Sequence, residues 1–501
     1  MSTLLALALL GSGGPVALAQ DEAVEEPTEE ERAEAFAEVA EQLKVGQKAR
    51  AADALLAMTD DEEKAPFHAE ALEQLADLLV ELELPYAALV AYERALSLEA
   101  SPALVGKALA MADSVGDTAL LEPVFATNVG VGAEGPALGH MAYLAARENY
   151  RQGNLGVALG ITAMVGKDHA LYARSQHLKG MVLSQQGRFN DAIAPLATAM
   201  ALASAGDDQA FADLAVMNLA RAYYGAENYA RSIEYYMKVP RDSWWWPEAQ
   251  FERAWAHFLL TDMSGTLGLL HNHMTPFLRD WYFPEARLLR IYALFNLCKF
   301  PTASVEIDAF AADYAPLRDE LDAQLAALDP VAVFADARAY HAGQAHELPA
   351  TVLRDLPHEY SFLATLNAVE SAEGELARLK GVAANPFATA ATAWVSDRRD
   401  AMVLAEGTRI RNRVQLQADT LRDMLDNAEI SKLDMLKLET RLYEQASVTG
   451  QAVGARDVAL REERARFANV WSYQGESWGD ELGYYKVIAQ PECPASLLPS
   501  Q

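Results

Sequence analysis

Residues 178–199 read LKGMVLSQQGRFNDAIAPLATA, and residues 218–240 read NLARAYYGAENYARSIEYYMKVP. Laid one over the other, they match Gly180 with Ala220, Phe189 with Tyr229, Ala192 with Ser232 and Leu196 with Tyr236. A small residue is followed about twelve positions later by another small one, with a large residue between, and the pattern recurs at roughly 34 to 40 residues. The small residue at Gly180 or Ala220 lets one helix approach the next. The large one near Phe189 or Tyr229 fills the turn, and Ala192 or Ser232 stands where the two helices cross. The spacing predicts a helical hairpin, and because one hairpin cannot bury its apolar face alone, it predicts a stack of them.

The register continues both ways. Upstream it runs through Leu75, Ala76, Leu79, Ala88, Tyr92, Ala95 and Leu96, and more faintly through Ala40, Leu43, Gln47 and Ala52. A degenerate unit at about 103–135 and a partial one at Ala146, Gly153, Leu155 and Ala158 fill the gap. Downstream come Ala254, His257, Thr266 and Leu270, then Ile291, Leu294, Cys298, Phe300, Ala303, Ile307 and Phe310. About eight units fit between Glu29 and Leu317. On these residues the chain resembles secreted bacterial tetratricopeptide-repeat (TPR) proteins over a little more than half its length. That resemblance implies a right-handed all-α solenoid that binds a peptide or partner protein, usually on the concave face lined by the first helix of each pair, and rarely catalyses anything.

A chain of 501 residues exceeds what one compact core normally holds, so a solenoid joined to another module is the expected solution. The formal charge of −30 argues against nucleic acid, whose phosphates need clustered Lys and Arg. It is chiefly a solubility feature, with attraction of a basic partner as the alternative. The N-terminus, MSTLLALALLGSGGPVALAQ, holds an apolar run at Leu4–Leu10 and Ala17-Leu18-Ala19 before Gln20, the layout of a secretory signal, though without an early Lys or Arg. Export, with a periplasmic mature chain, is the expectation. Further along, no stretch approaches the roughly 18 to 20 apolar residues of a membrane helix.

The expected organisation is a signal at 1–19, an acidic disordered leader at 20–32, the solenoid at 33–318 and a helical extension at 319–385. A long helical hairpin or coiled-coil-like module follows at 386–470, then an aromatic and acidic tail at 471–501. Apolar residues at heptad-like intervals, Ile410, Val414, Leu421, Met424 or Leu425, Leu438 and Leu442, mark the long-helix module, with a break expected at Gly450 to Gly454. The tail alternates Gly, aromatics and carboxylates. It is expected to form turns, with one short strand near Tyr484–Ile488, and to dock on the long helices. Two cysteines make no framework. Cys298, read as lying inside a repeat helix, and Cys493 are expected to be unpaired thiols, one of them buried, with pairing as the alternative in an exported chain.

The search for chemistry yields little. Gly130-Val131-Gly132-Ala133-Glu134-Gly135 has the dinucleotide-loop spacing, but Pro136 and another repeat helix follow with no strand pattern beyond, and it reads as an inter-repeat loop. Gly160 to Gly166-Lys167 has the wrong glycine spacing for a P-loop, and Asp168 replaces the magnesium-binding hydroxyl. His257, His271 and His273 form the one histidine cluster, yet 271 and 273 point to different faces of a helix. Glu476, Asp480 and Glu481, near Trp478, read as acidic turn residues, with acid–base work as the alternative. No catalytic residue, cofactor or metal site is assigned, and an enzyme is not expected.

The aromatic concentration carries more. Trp244, Trp245 and Trp246 precede a unit containing Phe251, Trp255 and Phe258, and Trp281-Tyr282-Phe283 open the next. Three successive tryptophans cannot all face the interior of a hairpin, so the patch either packs repeats or also offers a recognition site for a peptide or glycan. Trp244, Trp245, Trp246, Trp255, Trp281 and Tyr282 are the candidate partner-binding residues. The expected function is a non-enzymatic protein–protein interaction scaffold of the bacterial cell envelope, holding a partner segment on the concave face. The alternative is a glycan-binding accessory or envelope enzyme using the aromatic patch and the tail carboxylates.

Overall fold

The computed structural model describes residues 27–129, 135–278, 281–325, 329–450, 460, 462, 463, 465, 466, 475–491 and 493. Among them the backbone is overwhelmingly helical, with no strand. A first helix, α1 (Glu29–Ala35), precedes eight successive pairs. The first four are α2 (Ala37–Lys44) with α3 (Lys48–Thr59), α4 (His68–Glu81) with α5 (Pro85–Leu98), α6 (Pro102–Val115) with α7 (Glu122–Thr127), and α8 (Gly135–Arg151) with α9 (Leu155–Thr162). Then come α10 (Tyr172–Gln185) with α11 (Phe189–Ala203), α12 (Gln209–Gly225) with α13 (Tyr229–Tyr236), α14 (Trp246–Leu259) with α15 (Met263–Asn272), and α16 (Pro284–Asn296) with α17 (Phe300–Leu325). Four more helices follow: α18 (Pro330–His341), the short α19 (Ala350–Leu353), α20 (Tyr360–Leu379) and α21 (Pro386–Thr449). Each pair packs on the next, so the chain is an α-solenoid of TPR-like hairpins.

The repeat positions behave as their residue types require. Gly180 on α10 is buried against Leu196 on α11, so close that a Cβ there would stand 2.3 Å from Leu196 Cγ. Ala220, Ala192 and Ser232 are all fully buried. Phe189 lies over Gly225 of the following repeat, 2.4 Å from where a Cβ would be. The turn between paired helices needs one residue in the left-handed region, where glycine carries no steric penalty. Gly46, Gly153 and Gly187 supply it in three hairpins, while Glu83, Glu227, Thr261 and Cys298 hold the same conformation in four others. Cys298 therefore sits in the turn between α16 and α17, not inside a helix as expected.

Two boundaries differ from the sequence reading. Thr28 caps α1, its side chain accepting from the Glu31 amide while the Glu31 carboxylate accepts from the Thr28 amide. The acidic stretch is thus helical from Glu29, because its carboxylates complement the helix N-terminus. At the other end α17 runs unbroken past position 318 to Leu325. The signal segment 1–19, leader residues 20–26, most of the Gly130–Gly135 loop, Gly454 and the start of the tail with Trp471 and Tyr473 lie outside the described residues.

The module after 386 is one continuous helix of 64 residues, about 95 Å long at 1.5 Å per residue. Ile410, Val414, Leu421, Leu425 and Leu442 are buried as the heptad pattern requires. Their stripe is covered by α16, α17, α18 and α20, while the first turns of α21 reach α3 and α5 at the opposite end of the solenoid. Gly407 makes the close approach to α18, since a Cβ there would stand 1.8 Å from the Pro330 carbonyl oxygen. The contacts with the N-terminal repeats add polar bonds to a shared apolar core. Glu375 on α20, 0% exposed, accepts from the amides of Tyr86 and Ala87 at the start of α5, at 2.7 and 2.8 Å. Asp53 accepts from the Phe387 amide at 2.8 Å, and Arg94 lies over the Trp394 ring at 4.3 Å. The C-terminal helices thereby hold the first and last repeats together.

The tail docks on α14, α15 and the α16–α17 turn, where docking on the long helices was expected. The Arg253 guanidinium donates to the Gly483 carbonyl at 2.5 Å, and the Gly483 amide donates to Asn272 Oδ1 at 3.1 Å. Ser264 and Val487 exchange two bonds, the Val487 amide donating to the Ser264 carbonyl at 3.2 Å and the Ser264 hydroxyl to the Val487 carbonyl at 2.7 Å. These bonds replace the expected strand near Tyr484–Ile488 with extended chain laid across a helix. Gly268 permits this, because a Cβ would stand 1.9 Å from the Tyr485 carbonyl oxygen. The two cysteines are paired, Cys298 to Cys493 with Cα atoms 5.0 Å apart, which corrects the expectation of free thiols. Neither was readable from spacing, since the pair is 195 residues apart.

Candidate functional site

The three consecutive tryptophans divide their work. Trp246 begins α14 and is buried with Tyr236, Val239, Ala249 and Leu482, so it is core. Trp244 and Trp245 precede the helix, half-buried, and line a cavity of about 550 Å³ with Phe211 of α12, with Trp281, Tyr282 and Phe283, which lead into α16, and with Tyr360 of α20. Trp255, on the far half of α14, lies elsewhere, in a smaller cleft with Arg221, Tyr224, Tyr236 and Glu252. Of the six candidate residues, then, Trp244, Trp245, Trp281 and Tyr282 come together, and Trp246 and Trp255 do not join them.

One wall of the cavity was not foreseen. The segment joining α19 to α20 supplies Asp355, His358 and Glu359, and the start of α20 supplies Tyr360 and Ser361, facing residues at the N-terminal ends of α10, α12 and α14. His358 stacks on Trp244 with ring centroids 3.5 Å apart, and Trp244 in turn meets Trp281 at 4.3 Å. Burial of the ring pushes His358 below its ordinary value, with His341 adding to the effect. In the sequence, only the helix-breaking Pro349 and Pro357 mark this part of the 319–385 extension. Nothing in local spacing says where an irregular segment lands.

The polar lining is mainly acidic. Asp208, Glu248, Asp355 and Glu359 face the cavity, against one arginine, Arg174. Arg174 is held by Asp208 at 2.6 Å. Glu359 is held from behind by Arg409, at 2.8 Å, and by Arg413. Glu248 receives Arg221 at 3.3 Å, but that arginine is committed more closely to Glu252 at 2.5 Å. Burial therefore raises the Glu248 carboxyl well above the usual carboxylate range, and the neighbouring Glu252 and Asp355 charges push the same way. Asp355 is also raised by burial, and among the described residues no ion pair reaches it. Two poorly neutralised carboxyls thus look into a space walled by indole and phenol rings.

The other candidate chemistry disperses. His257 pairs with Asp262 at 2.9 Å. His271 lies edge-on to Tyr485. Both ring nitrogens of His273 are shut off from solvent between Phe251 and Phe283, and burial pushes it down to about 3. No group of three His, Cys, Asp or Glu among the described residues is placed to hold a metal ion. The tail does reach the aromatic repeat, through Leu482 and through Gly483 beside Trp246. Its carboxylates Glu476, Asp480 and Glu481 are nevertheless exposed and do not line the cavity. No helix among the described residues is long and apolar enough to cross a membrane.

No family model matches the chain, and no curated protein matches it. Among solved structures it is similar to a tetratricopeptide repeat protein from Parabacteroides merdae, with 14% identity, 56% of this chain and 91% of that one covered, and a TM-score of 0.28. It is also similar to the apo form of RapI, at 10% identity, 56% and 99% coverage and a TM-score of 0.31. The TPR domain of P58(IPK) matches at 12% identity, 81% and 98% coverage and a TM-score of 0.18. The helix pairs described above, not these likenesses, define the solenoid.

Proposed function

We propose that this chain is a non-enzymatic protein–protein interaction scaffold, and that the aromatic cavity between α10, α12, α14 and the α19–α20 segment receives a segment of a partner protein. The observation that carries the reading is the cavity itself: about 550 Å³, lined by half-buried Trp244, Trp245, Trp281 and Tyr282. Large aromatics partly withdrawn from water are what binding hot spots are made of. A cavity of this size suits a few side chains of an extended segment.

A photoreactive residue at exposed Ser361, on the cavity rim, is expected to cross-link a discrete partner in cells, and Trp244→Ala to suppress that product. Trp244 belongs to the cavity wall rather than to the buried clusters, so its removal should weaken capture by about 2 kcal/mol or more while the melting transition stays close to wild type. A variant that loses stability without losing capture beyond its unfolded fraction would make the patch packing alone.

We infer further that the scaffold is exported to the cell envelope. The signal-like Leu4–Leu10 run with Ala17-Leu18-Ala19 supports this, and so does the Cys298–Cys493 pair, since structural disulfides persist in oxidising compartments. The intact mass of protein recovered from the envelope should lack the first nineteen residues. A cytoplasmic product that keeps Leu4–Leu10 would sink the assignment.

A further inference from the structure

Partner chemistry is written into the imbalance of the cavity. An aromatic wall attracts a cation through the ring quadrupoles, and a planar guanidinium can stack on an indole while donating in its own plane. The rings already attract cations: Arg221 lies over Trp245 at 5.7 Å from the ring centroid, Arg354 over Trp281 at 5.3 Å and Arg174 over Phe211 at 4.7 Å. Arg174 and Arg221 are tied to carboxylates of their own. Inside, Glu248 and Asp355 both line the cavity; Glu248 keeps one ion pair, to Arg221 at 3.3 Å, and among the described residues Asp355 has none.

Resting on the reading of this cavity as a partner site, we propose that the segment it takes carries a basic side chain, arginine above all, placed against the Trp245 and Trp281 rings with its charge met by Glu248 and Asp355. The guanidinium would take the position that leaves both carboxylates ionised, removing the repulsion that the empty arrangement carries. An acidic segment is disfavoured by the same geometry, and the overall charge of −30 adds to that at long range. Bound cation should also bring the titration of Glu248 down, so affinity for an arginine segment should rise as pH goes from 6 to 8, when the free protein gives up the proton that the bound state does not hold.

The test uses the full mature chain and fluorescent octapeptide pools in which one central position is fixed as Arg, Lys, citrulline, Leu or Glu. Citrulline keeps the shape and hydrogen-bonding plane of arginine without its charge. The Arg pool is expected to bind at least tenfold tighter than the citrulline pool, with Lys between them and Glu weakest. Glu248→Gln and Asp355→Asn, made separately so that one remains if the other misfolds, should each shrink the Arg-to-citrulline ratio to threefold or less. Trp244→Ala should weaken every pool alike. If the pools bind and respond to Trp244→Ala but Arg and citrulline bind equally, the basic-side-chain proposal falls and the cavity stands as the partner site. If no pool binds, or Trp244→Ala changes nothing, the cavity is not the partner site and the proposal falls with it.

Discussion

Arg398→Met is expected to destabilise the protein by about 3–5 kcal/mol, the cost of leaving a buried charge without its partner. Asp117 follows the left-handed Gly116 cap of α6 and is 2% exposed. Its carboxylate accepts both Nε and Nη2 of Arg398 on α21 at 2.8 Å, the Tyr86 hydroxyl at 2.6 Å and the Leu120 amide at 3.2 Å. With arginine replaced by an apolar side chain of similar length, two neutral donors remain to hold a full negative charge away from water. Packing is nearly unchanged, so the loss reports the charge. Replacing both partners, Asp117→Asn with Arg398→Met, should recover a good part of it, because the buried charge is then gone as well. Denaturant unfolding gives the magnitude. Hydrogen exchange gives the place: α5, α6 and the first turns of α21 should lose protection together. A loss below about 1 kcal/mol would mean that α21 does not dock on the N-terminal repeats in solution.

That clasp was invisible in the sequence, and the reason is physical. The hairpins could be read because their determinants are local: Gly180, Ala220, Ala192 and Ser232 recur at fixed spacing, and each proves buried. The stripe Ile410, Val414, Leu421 likewise announced a buried helix face. A heptad stripe does not say what covers it. Here α16, α17, α18 and α20 do, where a second long helix was expected. Glu375 and Asp117 looked like any of the 71 acidic residues, since a carboxylate's burial depends on a partner some 280 residues away. The aromatic patch falls between these cases. Composition alone required that Trp244–Trp246 could not all be core, and two of the three line the cavity. Which two was decided by the start of α14 at Trp246, and that boundary follows from Pro247 at the first turn.

Cys493→Ser is expected to cost about 2–5 kcal/mol under non-reducing conditions, because the bond closes a very long loop and long loops lose the most chain entropy when tied. The two cysteines lie 195 residues apart, so the link encloses α17 through α21 and restricts the unfolded chain across that whole region. Serine at position 493 is the cleaner substitution. Cys298 occupies the left-handed turn with φ 54°, and any change there would mix a backbone effect with loss of the bond. Beneath the tail, Gln250 Oε1, Arg253 Nε and Asn272 Nδ2 are buried without partners. Once the covalent anchor goes, water can reach those groups by lifting the tail, so the native state should loosen locally before it unfolds globally. The decisive comparison adds dithiothreitol to both proteins. Wild type should fall to the stability of the variant, and the variant should not move. Equal stability of the two without reductant would show that the thiols are not joined, and would remove the disulfide from the case for export.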